Sequence, residues 1–85
     1  MTIEDWRAKI DAIDKQLLEL LSQRANHAIE VGKIKSERNM QVFDPERERQ
    51  IIQSILRENR GPLSEDALRR IFERVIDECR RIEHT

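Results

Sequence analysis

The chain has 85 residues, 16 Lys and Arg against 17 Asp and Glu, a net charge of −1, 38% hydrophobic and 39% charged residues. At this size one domain spanning 1–85 is expected, and its core supplies only about 3–5 kcal/mol unless disulfides, a metal or self-association assist. The single cysteine, Cys79, excludes an internal disulfide and suits a reducing, cytoplasmic setting, and with His27 and His84 it makes no metal-ligand spacing. Interleaved charges leave no footprint for nucleic acid, no apolar run approaches the roughly 20 residues of a membrane span, and the N-terminus is acidic where a signal peptide needs basic residues. Self-association is the remaining source of stability.

With two Gly, two Pro and no Tyr, the composition favours helices over sheet, and the fold class expected is all-α. From about Ile3 to about Glu37 one helical period runs uninterrupted, with Gly32 the only weak helix former. Its apolar stripe passes through Trp6, Ile10, Ile13, Leu17 and Leu20, then meets Arg24, continues through Ala28 and Val31, and meets Lys35. A fixed charge on a buried face is costly unless paired, so an acid of this protein or an anionic ligand should oppose these cations. Eleven residues apart on one helix, they project within roughly 20° of each other and about 16 Å apart, which lets two long side chains close on a ligand between them.

Residues 38–43 lose the period, and Asp44-Pro45 then reads as an N-cap followed by proline at the first helical position. The second stripe is Glu48, Ile51, Ile52, Ile55 and Leu56, ended at Asn59-Arg60-Gly61-Pro62 through a C-cap glycine and a proline. Ser64 caps a third helix with the stripe Leu68, Ile71, Phe72, Val75, Ile76, Cys79 and Ile82. Glu48 leads directly into the second stripe and Glu83 follows Cys79 by four residues on the third. Each is an acid where an apolar residue would be expected. Trp6 and Phe72 read as core or interface packing, as does Cys79 on its stripe alone, and His27 reads as a solvated helix residue.

A helix of about 35 residues is roughly 50 Å long, whereas a compact domain of this length is roughly 30 Å across. The first helix cannot fit inside its own domain, yet its stripe runs nearly end to end. A second copy should therefore cover the overhang in an intertwined two-fold dimer. Arg7 lies seventeen residues before Arg24, about 25 Å away along the helix, so one chain cannot bring both to a small ligand. Across a two-fold dimer, Arg7 of one chain could reach the Arg24 site of the other.

The series Trp6-Arg7-Ala8-Lys9-Ile10-Asp11-Ala12-Ile13-Asp14, then Leu17 to Leu21, Arg24, Glu30-Val31-Gly32-Lys33-Ile34-Lys35 and Asp44-Pro45-Glu46-Arg47-Glu48 resembles the all-helical chorismate mutases over nearly the whole chain. The opening R-x-x-I-D-x-I-D, the G-K-x-K and the D-P-x-R-E segments are specific at these separations, though each alone would be weak. The resemblance implies a three-helix subunit, an intertwined homodimer with two equivalent sites, no cofactor, and conversion of chorismate to prephenate on the route to phenylalanine and tyrosine. Carried over, it implies that Arg24 and the partner's Arg7 bind the substrate carboxylates and that Lys35 bridges a carboxylate and the ether oxygen. Glu48 would take the ring hydroxyl, with Asp44 and Arg47 on the same wall. Cys79 would stand where a small hydroxyl residue is common, and Glu83 would approach the ether oxygen from the far side, a position held by Gln or Glu in the family.

Such a rearrangement is pericyclic and needs no general base, nucleophile or metal; arginine forks position the dianion, and donors at the ether oxygen stabilise its growing charge. Lys35 is one donor. Glu83 is a second only when protonated, so activity is expected to fall as it ionises. The rival enzyme reading is isochorismate-pyruvate lyase, which resembles these mutases in fold and uses a similar cationic pocket; this chain's D-P-x-R-E turn with Glu48 favours the mutase. The rival of another class is a catalytically weak module that dimerises with or regulates another shikimate-pathway enzyme, and such an enzyme is a possible partner in either case.

Overall fold

The computed structural model describes residues 1–83; His84 lies outside them. The chain folds as helices α1 (Ile3–Glu37), α2 (Pro45–Glu58) and α3 (Glu65–Glu83), with no strand among the described residues, as the composition and periodicity imply. Each start is capped by a short polar side chain. At α1 the Thr2 hydroxyl accepts from the Asp5 amide at 3.2 Å while the Asp5 carboxylate accepts from the Thr2 amide at 2.9 Å, a reciprocal capping box. At α2 the Asp44 carboxylate accepts from the Arg47 amide at 3.1 Å with Pro45 at the first helical position, and at α3 the Ser64 hydroxyl accepts from the Ala67 amide at 3.1 Å. Such caps are worth about 1 kcal/mol each.

The end of α2 differs from the sequence expectation. Gly61 does not adopt a left-handed conformation; instead Asn59 turns extended at φ −62 and ψ 124 and its side chain folds the exit loop. Its amide donates to the Leu63 carbonyl and its Oδ1 accepts from the Gly61 amide, both at 3.0 Å. The Asn59 side chain thus closes the exit loop as an Asx-type turn, while the Arg60 guanidinium donates to the Arg57 carbonyl in the last turn of α2 at 3.2 Å. Among the described residues the left-handed one is Asn39, at φ 55, where α1 ends and the Met40 amide returns to the Lys35 carbonyl at 2.8 Å. Asn tolerates that conformation better than other non-glycine residues.

α3 is the central element, packing on α1 along one side and on α2 along the other. The buried residues are few: Ala28 and Gly32 on α1, Ile52 on α2, Ile76 and Cys79 on α3. On α1 these are small residues one turn apart, which allows close helix approach. A Cβ placed on Gly32 would lie 2.6 Å from the Glu83 carbonyl oxygen and 3.1 Å from the Glu83 Cβ, so only glycine lets the last turn of α3 settle there. The protomer is 55 Å long with a radius of gyration of 15.9 Å, well above the roughly 12 Å of a compact domain of this length. Every residue before Arg24 is exposed, and Ile3, Trp6, Ile10, Ile13, Leu17 and Leu20 are 51–65% exposed. No helix among the described residues is long and apolar enough to cross a membrane.

Candidate active site

A cavity of about 280 Å³ opens where the three helices meet. α1 contributes Arg24 and Lys35, the α1–α2 loop Asp44, α2 Arg47 and Glu48, and α3 Cys79, Arg80 and Glu83. Seven of the eight residues singled out from the sequence thus share one wall or another of a single cavity. The eighth, Arg7, is exposed on the overhang of α1 and does not line it. His27, read as a solvated helix residue, is exposed but stands at the cavity lining, with Ala28 and Val31 beside it.

Lys35 is fixed by two acceptors. Its Nζ donates to the Val42 carbonyl at 3.0 Å and lies 3.5 Å from Glu83 Oε2, and both side chains are about 85% buried (15% and 14% exposed). The Val42 bond ties the α1–α2 loop to α1 and orients the ammonium toward the cavity. Glu83 Oε2 is buried with no hydrogen-bond partner, so its contact with Lys35 is electrostatic. The place of Glu83 depends on Gly32, through the close approach described above.

The opposite wall is held by another ion pair. Arg80 Nη1 donates to Glu48 Oε2 at 2.8 Å and Nη2 to Asp77 Oδ1 at 2.7 Å, while its guanidinium lies 4.8 Å from the centre of the Phe43 ring. Sequence reasoning missed Arg80, although a signal was present: it follows Ile76 by four residues, a charge at core spacing like Arg24. Asp44 divides its role, capping α2 with one oxygen while lining the cavity. Arg24 and Arg47 have no side-chain partner among the described residues, and Arg24 is half-buried. Cys79 is buried, and its thiol stands among charged groups without an ion of its own.

Four cations and three acids therefore line the cavity, and two of the cations are uncompensated. A site of this kind can hold a small anion and offers acceptors for a neutral polar group. The chain belongs to the chorismate mutase type II family, whose pattern it matches over residues 6–84. Chorismate mutase from Thermus thermophilus (form II) superposes with a TM-score of 0.95 at 27% identity, over 96% of this chain and 93% of that one. The Helicobacter pylori chorismate mutase in complex with prephenate gives 0.89 at 28% identity, over 96% and 89%. Among curated relatives, the bifunctional chorismate mutase/prephenate dehydratase of Aquifex aeolicus is 39% identical over 85 residues, covering 95% of this chain and 24% of the relative. The T-protein of Enterobacter agglomerans is 39% identical over 71 residues, covering 78% of this chain and 19% of that protein. The chain thus spans a quarter or less of the length of these curated relatives.

Proposed function

We propose that the chain is a chorismate mutase, an isomerase that rearranges chorismate to prephenate in a cytoplasmic homodimer without a cofactor. The observation that carries this reading is the convergence of Arg24, Lys35, Asp44, Arg47, Glu48, Cys79 and Glu83 on one cavity. Chorismate is a dianion with a ring hydroxyl and an ether oxygen, and these groups have matching partners. Arg24 takes one carboxylate, and the partner's Arg7 takes the other. Arg47 adds positive charge on the α2 side, and Glu48 accepts from the ring hydroxyl. Held in this way the flexible enolpyruvyl ether is kept near its reactive chair, which removes orientational entropy from the barrier.

The bond between carbon and the ether oxygen breaks as negative charge gathers on that oxygen, and a carbon–carbon bond forms in the same step. Lys35, already oriented by Val42, donates to the oxygen; Glu83, when protonated, donates from the other side. Two donors sharing one acceptor at about 2.8 Å each stand roughly 4.5 Å apart. Lys35 and Glu83 are 3.5 Å apart, so substrate must part them. Their interaction with the oxygen strengthens as charge develops, which is what accelerates the step rather than merely tightening binding.

The dimer is supported by the exposed stripe of α1 and by an apolar groove of about 610 Å³, lined by Leu21, Ala25, Ile71, Val75 and Ile82 among others, which continues it on α3. An antiparallel α1 of a second copy would cover both and carry Arg7 toward the cavity. Several relatives join this domain to a prephenate dehydratase, and a shikimate-pathway enzyme that takes the product is a corresponding partner here. The test is direct: purified protein should convert chorismate to prephenate with no added cofactor, and should leave isochorismate intact. Release of pyruvate from isochorismate with chorismate untouched would replace this reading by the lyase. Inertness toward both would leave a helical dimerisation module.

A further inference from the structure

Glu48 enters the cavity with one oxygen held and one open: Oε2 accepts from Arg80, whereas Oε1 has no partner among the described residues. The group that holds it is itself clamped from three elements. Arg80 rises from α3, is anchored one turn back by Asp77, bonds across to Glu48 on α2, and lies against Phe43 in the α1–α2 loop. Arg80, Glu48 and Asp77 are all between 28% and 30% exposed, enough burial to strengthen charged hydrogen bonds while leaving one side to water. A guanidinium suits this position because its planar fork reaches two carboxylates at once, which an ammonium cannot do in the same geometry.

We infer that Arg80 is a positioning residue for the reaction: through Glu48 it aims the carboxylate oxygen that receives the substrate hydroxyl, and it offsets the charge that Glu48 would otherwise turn toward a dianion. This rests on the reading of Glu48 as the hydroxyl acceptor. Two effects follow from the geometry. The bond to Oε2 leaves Glu48 rotationally fixed with Oε1 as its only free acceptor. The positive charge on Arg80 lets an acid stand in an anion site without repelling the substrate, since a lone carboxylate there would oppose both substrate carboxylates.

The experiment is a double-mutant cycle on kcat/KM with Glu48→Gln, Arg80→Leu and the pair, each variant first matched to the parent in helical circular dichroism. Either single change is expected to lower kcat/KM by about 10- to 100-fold, the range for a charged hydrogen bond. The double variant should be no worse than the poorer single one, because Arg80 acts only through Glu48. Losses that multiply, or an Arg80→Leu variant as active as the parent, would overturn the inference. Should Glu48→Gln alone leave kcat/KM unchanged, the failure lies with the reading of Glu48, and the inference falls with it. Where Arg80→Leu does not fold, Asp77→Asn serves instead: it frees the far end of Arg80, should lower kcat/KM in the same direction by a smaller factor, and should lose that effect in the Glu48→Gln background. Arg80→Lys keeps the charge but not the two-ended geometry, so it should recover KM more fully than kcat. Equal recovery of both would contradict the aiming role.

Discussion

The two halves of α1 are built from the same helical period and behave differently. From Arg24 onward the helix is braced: Ala28 and Gly32 seat it against α3, and Lys35 is tied to the loop and to Glu83. Before Arg24 every residue is exposed, and the stripe from Ile3 to Leu20 stands more than half-exposed, with Arg7 on the same overhang. One half carries a preorganised site, and the other carries the parts with which a second copy would complete that site. If a second copy covers the overhang as proposed, stability and turnover should depend on the same association, and a change in either half should be visible in both.

The largest expected effect comes from breaking the uncovered half. Ile13→Glu combined with Leu17→Glu places two charges on the overhanging stripe, and burying an unpaired charge costs far more than a small domain can offset. The variant should sediment as a single chain and lose chorismate turnover, whereas an active dimer would disprove the interface. In the braced half, Lys35→Ala removes the donor proposed for the ether oxygen and should lower kcat by about 10²–10³-fold. A change confined to KM would show that Lys35 only binds.

Gly32→Ala strikes the braced half at its tightest point, since it adds one carbon 2.6 Å from the Glu83 carbonyl oxygen. Overpacking of this kind costs about 1–3 kcal/mol, read as a fall of the melting temperature by about 4–8 °C per kcal/mol. Turnover should fall further than the stability loss explains, because Glu83 is the residue displaced. Glu83→Gln puts an amide, which always donates, where an acid donates only in its neutral form, so kcat should be kept or raised. A loss of kcat as large as that of Lys35→Ala would show that Glu83 acts as a carboxylate and not as a donor. The smallest effect belongs to the exposed Arg49–Glu46 pair, where the Arg49 hydrogen bond holds the Glu46 carboxyl below its ordinary range. Such a group adds stability at neutral pH that is lost on acidification, but full solvent screening makes the contribution small. Arg49→Ala should leave turnover and melting at pH 7 as they were.

The bounds of the helices were legible because caps and periods are local signals: Thr2, Asp44-Pro45 and Ser64 act within one turn of themselves. The convergence of Arg24, Lys35, Glu48 and Glu83 was legible because charge on an apolar stripe is an anomaly that only tertiary structure can resolve. What escaped was of another kind. Gly32 read as a weak helix former, and its use as the contact point for α3 depends on the path of a helix some fifty residues later. Gly61 looked like the cap of α2, but the turn is closed by the Asn59 side chain on the Gly61 amide and the Leu63 carbonyl, a choice that composition alone does not distinguish. Arg80 sits at stripe spacing but next to Cys79 and Arg81, where a run of arginines on α3 reads as a solvated face until Glu48 is seen opposite it.

On the proposed reading, one site takes Arg24 from one chain and Arg7 from the other. Arg7→Ala and Arg24→Ala should each be nearly inactive alone. Mixed in equal amounts and allowed to exchange, half of the dimers become heterodimers with one intact site of two, so activity should return to about a quarter of the parent's. Absence of recovery, with exchange verified by mass, would rule out a site shared between two chains.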